Sequence, residues 1–338
     1  MLRSIQLRHP EPRVVAFNLT HTAGAPTLTR GEGDASLTDN GTGDTTLTLK
    51  DPFARTPLMF VTPTVAIGNG AIGNIVSSDN NDVRIKTSDS AGSGTDGNCH
   101  VAAFGFDSSL PGRIKNGKFS LTHNFIAGIL AGFTVDGTGT AAITSGKFQG
   151  TLTDNGTGDY SVALKRKLGQ SPIVLATATK ATAAVANLVS ASNSAVAIKT
   201  FDAAGAAVDS AFDFIVIGSS GKDKSGKHRR VIECPQRKPR IELFRITVTA
   251  GTPVLTIGSG GASIVDNGVG DYTLTFTQKF ARVPLAIANA DSTHIVTTHP
   301  SVKSTTALQL NAWTNAGVAV DPGIIDILVL GYDTIQEF

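Results

Sequence analysis

The chain has 338 residues, of which 41% are hydrophobic and 17% charged, and a formal net charge of +2. That length suits two or three domains, each large enough for its own core. The small net charge argues against a polycation that coats nucleic acid, and no run reaches the roughly 18 apolar residues of a membrane helix.

Residues 1–12 read as a Pro-containing charged arm that includes Arg8, with Arg13 just after it. The start of the chain lacks an apolar signal core, so synthesis in a cytoplasm is expected. The segment from 13 to 109 then reads as a first β-module. Val14–Leu19, Pro26–Arg30, Asp34–Thr38, Thr45–Leu49, Leu58–Val61, Asn74–Ser78, Val83–Thr87 and Cys99–Phe106 are its predicted strands. Thr45-Thr-Leu-Thr-Leu49 alternates with period two, the mark of a half-buried strand. Residues 110–117 form a linker, and 118–220 repeat the pattern, with strands at Tyr160–Leu164, Ile173–Thr177, Val196–Phe201 and Phe212–Ile217. Ala181–Ala186 has helical propensity but occupies a place between strands. Residues 221–239 form a basic strap. Residues 240–338 form a third module, with strands at Tyr272–Thr277, Leu285–Ala288, Leu308–Trp313 and Ile324–Leu330.

The modules are copies of one unit. Asp39-Asn-Gly-Thr-Gly-Asp44 recurs as Asp154-Asn-Gly-Thr-Gly-Asp159 and as Asp266-Asn-Gly-Val-Gly-Asp271, at spacings of 115 and 112 residues. A proline follows 18 residues after each first Asp, at Pro57, Pro172 and Pro284. Gly92, Gly205 and Gly317 close three aligned segments, and Gly105, Gly218 and Gly331 end three apolar runs. A constant period of this kind identifies tandem modules. About eight short strands per module, separated by Gly, Asn and Asp turns, predict an all-β chain of three tandem antiparallel β-sandwiches, jelly-roll-like in arrangement.

The repeated turn clusters two carboxylates and an Asn, as a cation loop does. Gly41, Gly156 and Gly268, however, stand where an EF-hand loop needs an oxygen ligand, so a hairpin turn whose side chains bond their own backbone is the better reading. Gly221–His228 nearly spells a phosphate-binding loop, but His228 replaces the metal-binding hydroxyl and Pro235 and Pro239 exclude the helix that should follow. The cysteines, Cys99 and Cys234, form no CxxC motif and read as structural thiols. The seven histidines show no ligand spacing. Trp313 aligns with Phe201 and Ser88 and reads as a core or interface residue. No catalytic, cofactor or metal residues are assigned, and no enzyme is expected.

Charge is segregated. Residues 221–240 hold eight basic residues against Asp223 and Glu233, a net +6, which leaves the rest of the chain at −4. Clustered Lys and Arg without interleaved aromatics favour an acidic protein surface over nucleic acid. Arg8, Arg13, Arg229, Arg230, Arg237, Lys238 and Arg240 are the candidate interaction residues.

Asp266-Asn-Gly-Val-Gly-Asp-Tyr-Thr-Leu-Thr-Phe-Thr277, with Phe280-Ala-Arg-Val-Pro284 and Ile325-Asp-Ile-Leu-Val-Leu-Gly-Tyr332, resembles β-modules of tailed-bacteriophage virion proteins. Module two departs from it at Leu168-Gly-Gln170, and module one has Thr45 in place of the Tyr. The resemblance implies a virion setting, a partner such as the major capsid protein or a tail protein, and modules that work in threes. A covalent pseudo-trimer or a string of beads would both satisfy it. A head decoration or cementing protein is the leading expectation. A tail-fibre or baseplate protein that adsorbs to host glycan is the alternative, with Trp313 and Tyr332 as candidate loop-tip aromatics. A glycan hydrolase is a third option, with no residues to support it.

Overall fold

The computed structural model describes residues 12–106 apart from 23, 32–34, 54–55 and 65–69; residues 128–218 apart from 147–149, 166 and 170; and residues 239–332 apart from 259–260 and 292–293. Between the first two blocks it describes 114–115 and 118–119. Every regular element among the described residues is a strand.

The first module contains β1 (Pro12–Thr22), β2 (Ala25–Gly31), β3 (Ala35–Gly41), β4 (Asp44–Leu49), β5 (Leu58–Pro63), β6 (Ile72–Ser78), β7 (Asp82–Ser88) and β8 (Cys99–Phe106). The short strands β9 (Ile114–Lys115) and β10 (Lys118–Phe119) pair with each other. The second module contains β11 (Gly128–Asp136), β12 (Ala142–Ser145), β13 (Gly150–Gly156), β14 (Asp159–Leu164), β15 (Ile173–Thr179), β16 (Ala184–Ala191), β17 (Ala195–Asp202) and β18 (Ala211–Gly218). The third contains β19 (Pro239–Thr249), β20 (Thr252–Gly258), β21 (Ala262–Gly268), β22 (Asp271–Phe276), β23 (Leu285–Ala290), β24 (Ile295–Thr298), β25 (Ala307–Trp313) and β26 (Ile324–Tyr332).

In the first module one sheet has the order β2-β1-β8-β5 and the other β3-β4-β7-β6; the same two orders recur in the other modules. The chain changes sheet only at the connections β2–β3, β4–β5, β5–β6 and β7–β8. Three of the seven connections are hairpins within one sheet and four cross between the sheets, so each module is an antiparallel two-sheet sandwich. Ala184–Ala186 lies in strand β16, paired with β17, because tertiary pairing overrides alanine's helical propensity.

Each sandwich encloses its own core: Phe17, Leu47 and Ile85 in the first, Phe133, Tyr160 and Phe214 in the second, Phe244, Tyr272 and Phe276 in the third. A fourth core lies between the modules. On β5, Met59 and Val61 point into their own sandwich, while Leu58 and Phe60 enter the shared core. On β15, Val174 and Ala178 take the first role, and Ile173 and Leu175 the second. On β23, Ala286 and Ala288 face inward and Ile287 joins the shared core with Leu243 and Leu328. Both faces of these strands are thus covered, which explains why they read as continuous apolar runs rather than alternating ones.

The seams between modules repeat cyclically. Parallel bridges join Thr64 to Leu188, Thr179 to Thr298, and Ile75 to Asp291. By the repeat, Thr64, Thr179 and Asp291 are equivalent positions, as are Ile75, Leu188 and Thr298. The first module thus bonds the second, the second the third, and the third the first. The chain is a closed pseudo-threefold ring, a trimer-like body made of one polypeptide. A cavity of about 50 Å³ lies where the three meet, lined by residues of every module, among them Asn74, Asn187 and Asn289. It is far below the ~300 Å³ at which small-molecule sites begin.

Candidate functional site

The repeated turn has the same geometry in all three copies. The first carboxylate accepts the N–H two residues on: Asp39 from Gly41 at 2.9 Å, Asp154 from Gly156 at 3.0 Å, and Asp266 from Gly268 at 2.9 Å. The Asn side chain then donates across the turn to the last Asp and to a strand hydroxyl, as Asn267 does to Asp271 at 3.1 Å and to Thr273 at 2.8 Å. Both glycines have positive φ, +119° at Gly156 and +64° at Gly158. The second is also packed: a Cβ on Gly158 would lie 2.6 Å from the Thr200 carbonyl oxygen. The carboxylates and amides are therefore committed to holding a bulged hairpin.

A further carboxylate locks each turn from the following loop. Asp96, Asp209 and Asp321 accept the N–H of Gly43, Gly158 and Gly270 at 2.6, 2.7 and 2.6 Å. In modules two and three the same oxygen also accepts a buried tyrosine hydroxyl, Tyr160 at 3.1 Å and Tyr272 at 2.7 Å. Burial raises both phenol pKa values, and the neighbouring carboxylates push the same way. Module one, which has Thr45 here, uses histidine instead: His21 Nδ1 donates to the Gly97 carbonyl at 3.0 Å, and Nε2 then accepts the Thr45 hydroxyl at 3.2 Å.

The seams carry a polar relay that sequence reasoning missed. His100, Asp213 and Asp326 are equivalent positions on β8, β18 and β26, and each accepts a backbone N–H from the next module. His100 Nδ1 takes Val174 at 2.9 Å, Asp213 takes Ala286 at 2.8 Å, and Asp326 takes Met59 at 2.9 Å. Lys303 pairs with Asp213, and Arg245 grips Asp326 through two hydrogen bonds while donating to the Pro57 carbonyl at 2.9 Å. Burial pushes the Asp326 carboxyl up, against the pull of Arg245. The signal in the sequence was a lone acid inside an apolar run, Phe212-Asp-Phe214 and Ile325-Asp-Ile327.

The two ends of the body differ. Register pairs Pro12 with Phe106, Gly128 with Gly218, and Pro239 with Tyr332, so every described point where the chain enters or leaves a sandwich lies at the end opposite the turns. At the turn end, the loops of Gly92, Gly205 and Gly317 meet around the axis: Gly92 abuts Asn315, Gly317 abuts Ala203, and Gly70 abuts Gly205.

Of the candidate interaction residues, Arg8, Arg229, Arg230, Arg237 and Lys238 lie outside the described residues, as do Cys234, the 221–238 strap and the Gly221–His228 loop. Arg13 lies on β1. Arg240 is engaged within module three, stacked 3.5 Å over the Phe280 ring and bonded to the carbonyls of Gln278 and Lys279. Its guanidinium is a strut under β19 rather than a free grip. Trp313 is half-buried, its indole N–H on Thr297, so it is no loop-tip platform. Cys99 is buried, and burial raises its thiol pKa to about 12, which makes it unreactive. Among the described residues no cluster of three His, Cys, Asp or Glu is placed to hold a metal. Neither a family model, nor a curated protein, nor a solved structure matches the chain.

Proposed function

We propose that the chain is a structural protein of a tailed-bacteriophage virion, a head decoration protein that works as a one-chain trimer. The observation that carries this reading is the closed pseudo-threefold ring with every described chain crossing at one end. A body with three near-equivalent faces suits a place where three copies of a neighbour meet. The basic segments 1–11 and 219–238 connect to strands whose ends lie at that same end of the ring. The partner is an acidic surface of the major capsid protein. A stable attachment would bury about 1,200 Å² or more.

The test is mass photometry of the purified protein, alone and mixed with empty heads. The reading expects a 34.9 kDa monomer that saturates the heads. Reversal of Arg229, Arg230, Arg237 and Lys238 to Glu is expected to abolish attachment and leave the fold intact. A trimer of whole chains that ignores heads would move the protein to the tail or fibre.

A further inference from the structure

We propose that module one carries a saccharide-binding cleft that its two sister modules have filled with their own side chains. The cleft has a volume of about 320 Å³ and opens beside the β3–β4 turn, lined by Asn40, Asp44, Asn74, Lys86, Thr87 and Ser88 with several glycines. That volume reaches the range of small-molecule sites, ~300–1,000 Å³.

The pseudo-symmetry explains why the space is there. Ser88 ends β7, as Phe201 lies near the end of β17 and Trp313 ends β25. All three make the same isolated bridge to the following loop, to Gly94, Ala207 and Ala319. Their cross-strand partners are also equivalent: Ile72, Val185 and Ile295. In module three the Trp313 indole reaches over to Thr297 and donates its N–H there at 3.2 Å. Thr297 is the counterpart of Asn74, since Asn74 pairs with Lys86 as Thr297 pairs with Asn311. Phe201 is 1% exposed in module two. Module one has only a serine hydroxymethyl at this position, and Ser88 and Asn74 both line the cleft.

The lining decides what kind of ring belongs there. Among the described residues it presents the Asn74 amide, the Lys86 ammonium group and hydroxyls, beside the Asn40 amide and Asp44 carboxylate that hold the turn, and no aromatic or aliphatic side chain. Asp44 and Asn74 are 7% and 4% exposed and form the buried part of the lining. Arg84 fixes the Asp44 carboxylate through two hydrogen bonds, at 2.8 and 2.6 Å. A pyranose, whose hydroxyls each donate and accept, matches such a surface. Gly92, on the rim, lies so close to module three that a Cβ there would run into the Asn315 side chain. The cleft lies at the turn end, away from the chain crossings, so the saccharide would be met on the outward side of an attached molecule. The binding itself does not depend on the virion reading.

The experiment is an amide-resolved NMR titration of the full chain with methyl α-D-glucopyranoside, methyl N-acetyl-β-D-glucosaminide and N-acetylneuraminic acid. At least one sugar is expected to shift residues 40–44, 74 and 86–94, and not their counterparts in modules two and three. Ser88→Trp places in the cleft the side chain that module three already accommodates. It is expected to weaken binding tenfold or more with an unchanged melting temperature. Lys86→Met, at a side chain 47% exposed, is the second variant and is expected to weaken binding at least fivefold without touching the fold. The proposal fails if no sugar perturbs these residues, or if both variants bind as the parent does. It also fails if N-acetyltryptophanamide shifts them while no sugar does, since that would make the cleft a socket for a partner's aromatic side chain.

Discussion

Arg245 donates to both carboxylate oxygens of Asp326, at 2.6 and 2.7 Å, and Asp326 in turn accepts the N–H of Met59 from a module 267 positions away. A buried charge pair thus stands astride the seam that closes the ring. Removing one partner leaves the other buried and unpaired, which costs about 3–5 kcal/mol. Asp326→Ala is accordingly expected to lower stability by that amount in urea. Replacing both residues together, as Arg245→Met with Asp326→Leu, is expected to cost much less. A single-variant loss below about 1 kcal/mol would show that the pair does not hold the seam.

The two glycines of each turn are not equal. Gly156 has open space around its missing Cβ, whereas a Cβ on Gly158 would collide with the Thr200 and Val208 carbonyls. Both positions strain an alanine through their φ, by about 1–3 kcal/mol. Gly158→Ala adds the collision, so it is expected to destabilise more than Gly156→Ala. Thermal melts of the two variants give the order, and a reversed order would refute the packing argument.

Arg84 holds the Asp44 carboxyl below its usual range, with burial opposing and Asn40 assisting. A depressed folded-state pKa adds stability that is fully present above the unfolded value, about 3.9, and is lost as pH falls through the lower folded value. Arg84→Gln is therefore expected to destabilise module one at neutral pH and to converge with the parent in acid. Denaturant midpoints measured from pH 7 down to pH 2 test this. A gap that stays constant across the range would rule the linkage out.

The ring is held by its seams as well as by its covalent connections. A protease site inserted within 221–238, once cut, is expected to leave the three modules travelling as one particle in native mass spectrometry. Separation of module three on cleavage would mean that the shared core of Leu58, Phe60, Leu175 and Ile287 is too weak to hold it.

Tyr272 shares the Asp321 oxygen with the Gly270 N–H. Tyr272→Phe removes one donor and leaves the ring packing intact, so a loss of about 1 kcal/mol is expected. The equivalent change in module one, Thr45→Val, strands His21 Nε2 and is expected to cost a similar amount. Parallel urea titrations compare the two.

The strands and turns were legible in the sequence because their causes are local. Period-two alternation at Thr45–Leu49 and paired glycines at Gly156 and Gly158 act within a few residues. The apolar runs at Leu58–Val61 and Ile173–Ala176 also held a clue, since a strand without alternation is covered on both faces. The relay at His100, Asp213 and Asp326 was harder to read, because three different residues at one repeat position hide their common role. The cleft was legible only as Ser88 aligned with Phe201 and Trp313, a difference that carries no meaning until the space around it is known.

By itself, then, the sequence determined an all-β chain, its threefold repeat and the chemistry of its turns, each of which follows from backbone conformations that neighbouring residues impose. Only the tertiary structure decided that the modules close into a ring, that charge pairs differ from seam to seam, and that a cleft opens beside the turn of module one. Those features arise where surfaces distant in sequence meet, and their energies come from packing and desolvation that no local pattern encodes.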